Sequence, residues 1–170
     1  MAKNEQQPSD IPTGARLADL GSAKLSAITH SLTGKNQDQS GTDYSVDPAD
    51  VEALVADWPM APRRAARQMI EQYGSPNEAT PLRLIWHNNG PWKRTEVTRD
   101  ELVHNFPTAH TDFITQWIDY RVPLECVVDL TRFDGSCLTD RTAGEVGARC
   151  DTESANILTL NLMHEIVSGK

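Results

Sequence analysis

The segment "PLRLIWHNNGPWKRTEV", residues 81–97, constrains the fold more than any other stretch. Leu82, Leu84 and Trp86 alternate with Arg83, Ile85 and His87, the chain turns at "NNG", and it runs out through Trp92 to Val97. Period two sends successive side chains to opposite faces of a strand, and Asn-Gly between two such runs signals an antiparallel hairpin. Pro91 has no N–H to give to a ladder. The sequence therefore predicts a loop longer than two residues, or a hairpin at the edge of its sheet.

Helical periods flank this hairpin. In "SVDPADVEALVADWP", Asp47 is an N-cap with Pro48 at the first helical position, and Val51, Leu54, Val55 and Trp58 form one stripe before Pro59 ends it. A second helix over residues 62–73 would bury Ala65, Ala66, Met69, Ile70 and Tyr73, with Gly74 closing it. Residues 113–122 alternate again, and their β-branched and aromatic content favours strand over helix. "LECVVDLTRFDG" reads as a short helix stopped at Asp134-Gly135, and "SCLTDRTAGEVGARC" as a second hairpin turning near residues 142–144. A last helix is capped by Asp151 or Thr152, with Ala155, Leu158, Leu162 and Ile166 as its inner stripe. The expectation is an α+β fold: a single small domain over residues 47–170, mainly antiparallel sheet built from hairpins with packed helices. A chain of 170 residues suits one such domain.

Residues 1–46 differ. They are polar and turn-rich, which predicts a flexible, disordered N-terminal tail. "ARLADLGSAKLSAITHSL" within it has apolar residues at helical spacing, interrupted by Gly21, and reads as a short amphipathic helix or a docking motif for a partner's groove. The opening "MAKNEQQPSD" lacks the apolar core of a secretory signal, and no stretch has the length of apolar sequence that a membrane span needs. The formal charge of −8 argues against nucleic acid and anionic lipid as partners. Three cysteines without a CxxC pair fit a reducing compartment, so the expected location is the cytoplasm.

Three groups of residues could carry chemistry. In "HNFPTAHTDF", residues 104–113, a strand that reaches back past Asp112 would put His110, Asp112 and Ile114 on one face. His104 joins them only if "FPTA" turns the chain back, which Pro107 allows without requiring. Two histidines and an aspartate have the composition of a site for zinc, iron or manganese. The ordered short motifs of zinc enzymes are absent, however. The sequence favours a plain bend in which Thr111 and Asp112 satisfy backbone donors.

The second group is basic: Arg63, Arg64 and Arg67 on the second helix, and Lys93, Arg94 and Arg99 on the hairpin. Trp92 beside them, just past a turn, is the tryptophan expected to be partly exposed, and an exposed indole among cations is the composition of a contact hot spot. Glu96, Asp100 and Glu101 stand close enough in sequence to pair with those cations instead. The third group is the cysteines. Cys126 and Cys137 read as structural, whereas Cys150 precedes a helix N-terminus, which would lower its pKa and make it reactive.

The order "QYGSP … LIWHNNGPWKRTEV … HNFPTAHTD … IDYRVP … DGS … GEVGARCD … NILTLNLMHEIVSGK" resembles small bacterial proteins of unassigned function over residues 58–170. That resemblance implies no activity, cofactor or partner for any residue.

The first expectation is a non-catalytic binding or interaction module that needs no cofactor. Its contact surface would be the hairpin around Trp92, Lys93 and Arg94, with Arg63 and Arg67, and would take a protein partner or a small anionic ligand. The alternative is a metal-assisted or acid–base enzyme using His104, His110 and Asp112 with a divalent metal. A third reading makes Cys150 an oxidant-sensing thiol.

Overall fold

In the computed structural model, which describes residues 13–33 and 41–170, the hairpin of residues 81–97 lies within a six-stranded antiparallel sheet. The strands are β1 (Glu78–Thr80), β2 (Arg83–Asn89), β3 (Trp92–His104), β4 (His110–Asp119), β5 (Cys137–Asp140) and β6 (Glu145–Cys150), in the order β1-β2-β3-β4-β6-β5. The fold is α+β, as expected. Asn89 pairs with Trp92, so the β2–β3 loop is the two residues Gly90 and Pro91, shorter than predicted, and β1 lies outside β2 at the edge. Pro91 fits because it sits in the loop, where no ladder N–H is needed, and Gly90 supplies the positive φ of 62°. β3 and β4 pair from Arg94↔Trp117 to Val97↔Ile114, then resume at Leu102↔Asp112 and end at His104↔His110. The irregularity between Val97 and Leu102 is a bulge on β3.

One face of the sheet carries the core. Residues α2 (Pro48–Val55) and α3 (Met60–Tyr73) pack Val51, Val55, Trp58, Ala65, Ala66 and Met69 against Leu84, Trp86, Val97 and Ile114. Asp47 caps α2 through Ala49 N at 2.8 Å, as its sequence predicts. A 3₁₀ turn (Leu124–Cys126), α4 (Val127–Phe133) and α5 (Glu153–Val167) cover the other half, placing Leu130, Leu160 and Met163 against Val146 and Ala148. The inner stripe of α5 is corrected by the structure. Asn156, Leu160 and Met163 are buried, while Leu158 is 59% exposed and Leu162 37%. "ILTLNLM" is apolar almost all round, so its period does not select a face. The buried amide of Asn156 does, donating to Ile114 O and Gln116 Oε1 at 3.2 and 3.0 Å.

The opposite face is polar and ionic. Arg94 pairs with Glu96 (2.9 Å) and Glu145 (3.3 Å), and its guanidinium lies 4.8 Å above the Trp117 ring. Gly147 opposite Trp117 is what admits that ring, since a Cβ there would stand 2.8 Å from it.

Contacts divide the chain into two units, Met1–Gln39 and Ser40–Lys170. In the first, α1 (Thr13–Thr33) continues unbroken through Gly21, where an interruption was expected, and exposes Leu20, Leu25 and Ile28. The polar stretches at residues 1–12 and 34–40 lie outside the described residues. The second unit starts before residue 47. Val46 N–H donates to Pro76 O, and the Asn77 amide donates to Thr42 O and Tyr44 O. Among the described residues, no helix is long and apolar enough to cross a membrane.

Candidate metal centre

The β3–β4 hairpin closes through residues 105–109, which turn the chain so that His104 and His110 become directly opposed partners. Opposed residues of an antiparallel pair project to the same face. Their rings lie 4.8 Å apart between centroids. Asp112, two residues along β4 from His110, shares that face. One ligand-type atom from each of His104, His110 and Asp112 lies within 4.8 Å of the others. The turn that Pro107 allowed therefore does occur, and the half-buried histidines converge instead of standing apart at a bend.

A backbone carbonyl assigns a direction to the His110 ring. His110 Nδ1 is 2.7 Å from Thr108 O, and a carbonyl only accepts, so Nδ1 carries the proton. In the neutral ring this leaves the lone pair on Nε2, 3.1 Å from Asp112 Oδ1 and without hydrogen-bond geometry to it. His104 Nε2 is 3.3 Å from Asp134 Oδ1. Its Nδ1 stands 3.2 Å from Asp112 Oδ2 and is hydrogen-bonded to Ser136 Oγ at 3.1 Å. Ser136 spends its hydroxyl proton on Asp112 Oδ2 at 2.9 Å. Asp112 is only 3% exposed, and its Oδ1 meets no hydrogen-bond donor among the described residues. A buried carboxyl oxygen left without a donor is costly unless a cation or another group compensates it.

Asp134 and Ser136 were not singled out from sequence. "FDGS" reads as a helix stop, and an internal bond from Ser136 N–H to Asp134 Oδ1 at 2.8 Å is what such a turn needs. Their second role arises in three dimensions, where Phe133 at the end of α4 packs edge-on against Phe106 in the hairpin loop, with ring centroids 6.3 Å apart. No local pattern foretells that contact.

Cys150 also reaches this place. It pairs with Ile114 across β4 and β6, so it projects to the face of Asp112, and its Sγ lies 3.5 Å from His110 Nε2. The depressed pKa expected from a helix N-terminus is not found. Thr152, not Cys150 or Asp151, caps α5, and burial, reinforced by the Asp112 and Asp151 carboxylates, pushes the Cys150 thiol up to about 11. Cys137 is buried and pushed up to about 11 by the same desolvation, with Asp134 adding to it.

The expected contact surface takes a different form. Trp92 is 4% exposed, not partly exposed: its indole N–H donates to Glu153 Oε1 at 2.5 Å. Glu153 also accepts from Tyr73 OH (2.5 Å), Gln116 (3.0 Å) and Gln72 (3.0 Å), joining β3, β4, α3 and α5 at one carboxylate. Lys93 pairs with Asp119 (2.7 Å) and Glu145 (3.0 Å), Arg94 with Glu96 and Glu145, Arg99 with Asp100 (3.0 Å), and Arg67 with Glu52. Arg63 donates to Ala56 O at 2.8 Å. The cations are thus spread over two faces and engaged locally, the ion-paired arrangement that the neighbouring acids had suggested.

Compared with known proteins, the chain matches no family model, no curated protein and no solved structure.

Proposed function

We propose that the folded unit binds a divalent transition metal at the tip of the β3–β4 hairpin through His104 Nδ1, His110 Nε2 and Asp112. One observation carries this reading. His110 donates from its outer Nδ1 to Thr108 O, which turns its Nε2 toward Asp112, and His104 Nδ1 stands at the other oxygen of that buried carboxylate, whose Oδ1 meets no donor among the described residues. That is how metal-binding histidines are oriented: an outer-shell acceptor fixes the tautomer and turns the free lone pair inward.

The distances agree in magnitude. Ligands about 2.0–2.2 Å from a tetrahedral ion stand roughly 3.3–3.6 Å from one another. The nitrogen–oxygen separations here are 3.1 and 3.2 Å, each to a different oxygen of Asp112, and one donor atom from each residue lies within 4.8 Å of the others, so an ion requires the close pairs to open slightly and the widest pair to draw in. Aspartates 112, 134 and 151 place three carboxylates around the two imidazoles, which favours a cation further.

The Trp92 hairpin is the weaker reading. Its indole is enclosed and its cations are committed to carboxylates, so a partner would have to break existing bonds before gaining new ones. Metal analysis of tag-free protein after dialysis against zinc, cobalt or manganese tests the metal reading. One ion per chain is expected, lost in His110→Ala and retained in His164→Ala, whose histidine contacts Tyr120 elsewhere. Wild-type protein that retains no ion after such loading would remove the proposal.

A further inference from the structure

Resting on that metal reading, we infer that Cys150 is the fourth ligand, so that the ion is a thiophilic one, zinc in the first instance, held in a closed His-His-Asp-Cys shell. The thiol enters the site from a different strand than the three other ligands. The Cys150↔Ile114 pairing fixes its face, and the two-residue step from Ile114 to Asp112 brings it alongside the carboxylate. Its Sγ is 3.5 Å from His110 Nε2, the nitrogen left to accept once Nδ1 donates to Thr108 O, and 3.6 Å from Asp151 Oδ1.

That separation has a specific meaning. With a zinc–nitrogen bond near 2.0 Å and a zinc–sulfur bond near 2.3 Å, a tetrahedral shell sets the two donors about 3.5 Å apart. A second observation is independent of the thiol: Asp112 Oδ1, nine-tenths buried and lacking a donor, faces the same nitrogen at 3.1 Å. His110 Nε2 is thus approached by a sulfur and by an orphaned carboxylate oxygen together. A sulfur and a carboxylate oxygen that meet at one imidazole nitrogen are donors that a common cation would gather.

Ligand chemistry then sets the ion. Hard-oxygen sites suit magnesium, calcium and manganese, whereas a thiolate with two imidazoles selects zinc or cobalt over them. Four protein ligands also leave no position for substrate, which is the mark of a site that holds its metal and does not turn over on it. Binding displaces the thiol proton, since the metal takes the thiolate.

Cobalt(II) loading of the full chain tests this. A thiolate-to-cobalt charge-transfer band in the near ultraviolet is expected, together with the visible envelope of four-coordinate cobalt. Cys150→Ser should lose the charge-transfer band and weaken zinc binding by at least ~10–100-fold, the loss typical of even an outer-shell change. Cys126→Ser and Cys137→Ser should keep both. As a measurement that needs no variant, zinc should slow alkylation of Cys150 in the wild-type chain. Cobalt bound without the band, or alkylation at an unchanged rate with zinc bound, overturns the Cys150 assignment and leaves the three-ligand site standing. Failure to bind cobalt or zinc at all overturns both.

Discussion

Asp134 Oδ1 stands 3.3 Å from Nε2 of His104, a contact between the end of α4 and the end of β3 that would hold the Nε2 proton if Nδ1 bound the proposed ion. Asp134 is itself held by Ser136 N–H at 2.8 Å, so the acceptor is placed before any ion arrives. Asp134→Ala should therefore lower zinc affinity about 10–100-fold without contributing a ligand, while Asp134→Asn, which keeps an acceptor oxygen, should recover part of it. Competition against a chelating dye reads the difference. Equal affinity in all three proteins would show that the tautomer is set elsewhere.

In the proposed site Asp112 would trade stability for binding. Its buried Oδ1 lacks a donor, whereas an asparagine could place an N–H toward His110 Nε2. Metal-free Asp112→Asn should be more stable than metal-free wild type by roughly 1–3 kcal/mol, the cost of an unsatisfied buried group. It should also lose the stabilisation that wild type gains from metal, about 2.7 kcal/mol at a hundredfold excess over Kd. Urea melts with and without zinc measure both quantities, and a less stable metal-free variant would contradict the account.

Trp92 is structural. Replacing it with alanine removes a buried indole and one of the donors to Glu153, which should cost about 3–5 kcal/mol. Chemical denaturation decides this, and an unshifted midpoint would return Trp92 to the surface role that its sequence position suggests.

Glu153 and Tyr73 give the fold a pH window. Burial works to raise the Glu153 pKa, but the donors Tyr73, Trp92, Gln72 and Gln116 outweigh it and hold the carboxyl below its usual value. That stability is present above the ordinary carboxylate pKa and is lost as pH falls through the depressed one. Burial, with the bond to Glu153, pushes Tyr73 up to about 12. Its contribution is complete below the ordinary tyrosine value of about 10 and is lost as pH rises through the folded value. Glu153→Gln should flatten the acid limb and Tyr73→Phe the alkaline limb of a stability–pH curve. Limbs that remain unchanged would place the titrating groups elsewhere.

The sheet and its helices were legible because their signals are local: alternation in β2, Asn-Gly before Trp92, Asp47-Pro48 opening α2. The buried face of α5 was not, because a helix apolar all round is oriented by Asn156 finding Gln116 and Ile114, a contact between distant elements. The histidine–aspartate group was visible as composition but not as geometry. Whether His104 meets His110 depends on a turn that Pro107 permits in either sense, and Asp134 and Cys150 arrive from other strands and helices. Trp92 misled for a related reason: a residue just after a turn usually faces water, and only the carboxylate of Glu153 draws this one inward.

The bulge in β3 has an arithmetical consequence. Carrying the Val97↔Ile114 register onward without interruption would set Glu101, not His104, against His110. The offset is three positions, an odd number, so even-numbered residues beyond it occupy the side that odd-numbered residues hold before it. Removing a single residue between Val97 and Leu102 leaves an even offset, so β3 must either twist locally to keep His104 opposite His110 or slip its register and turn the imidazole away from Asp112. The spacing of a short stretch of strand that supplies no donor thus bears on whether the donors can meet.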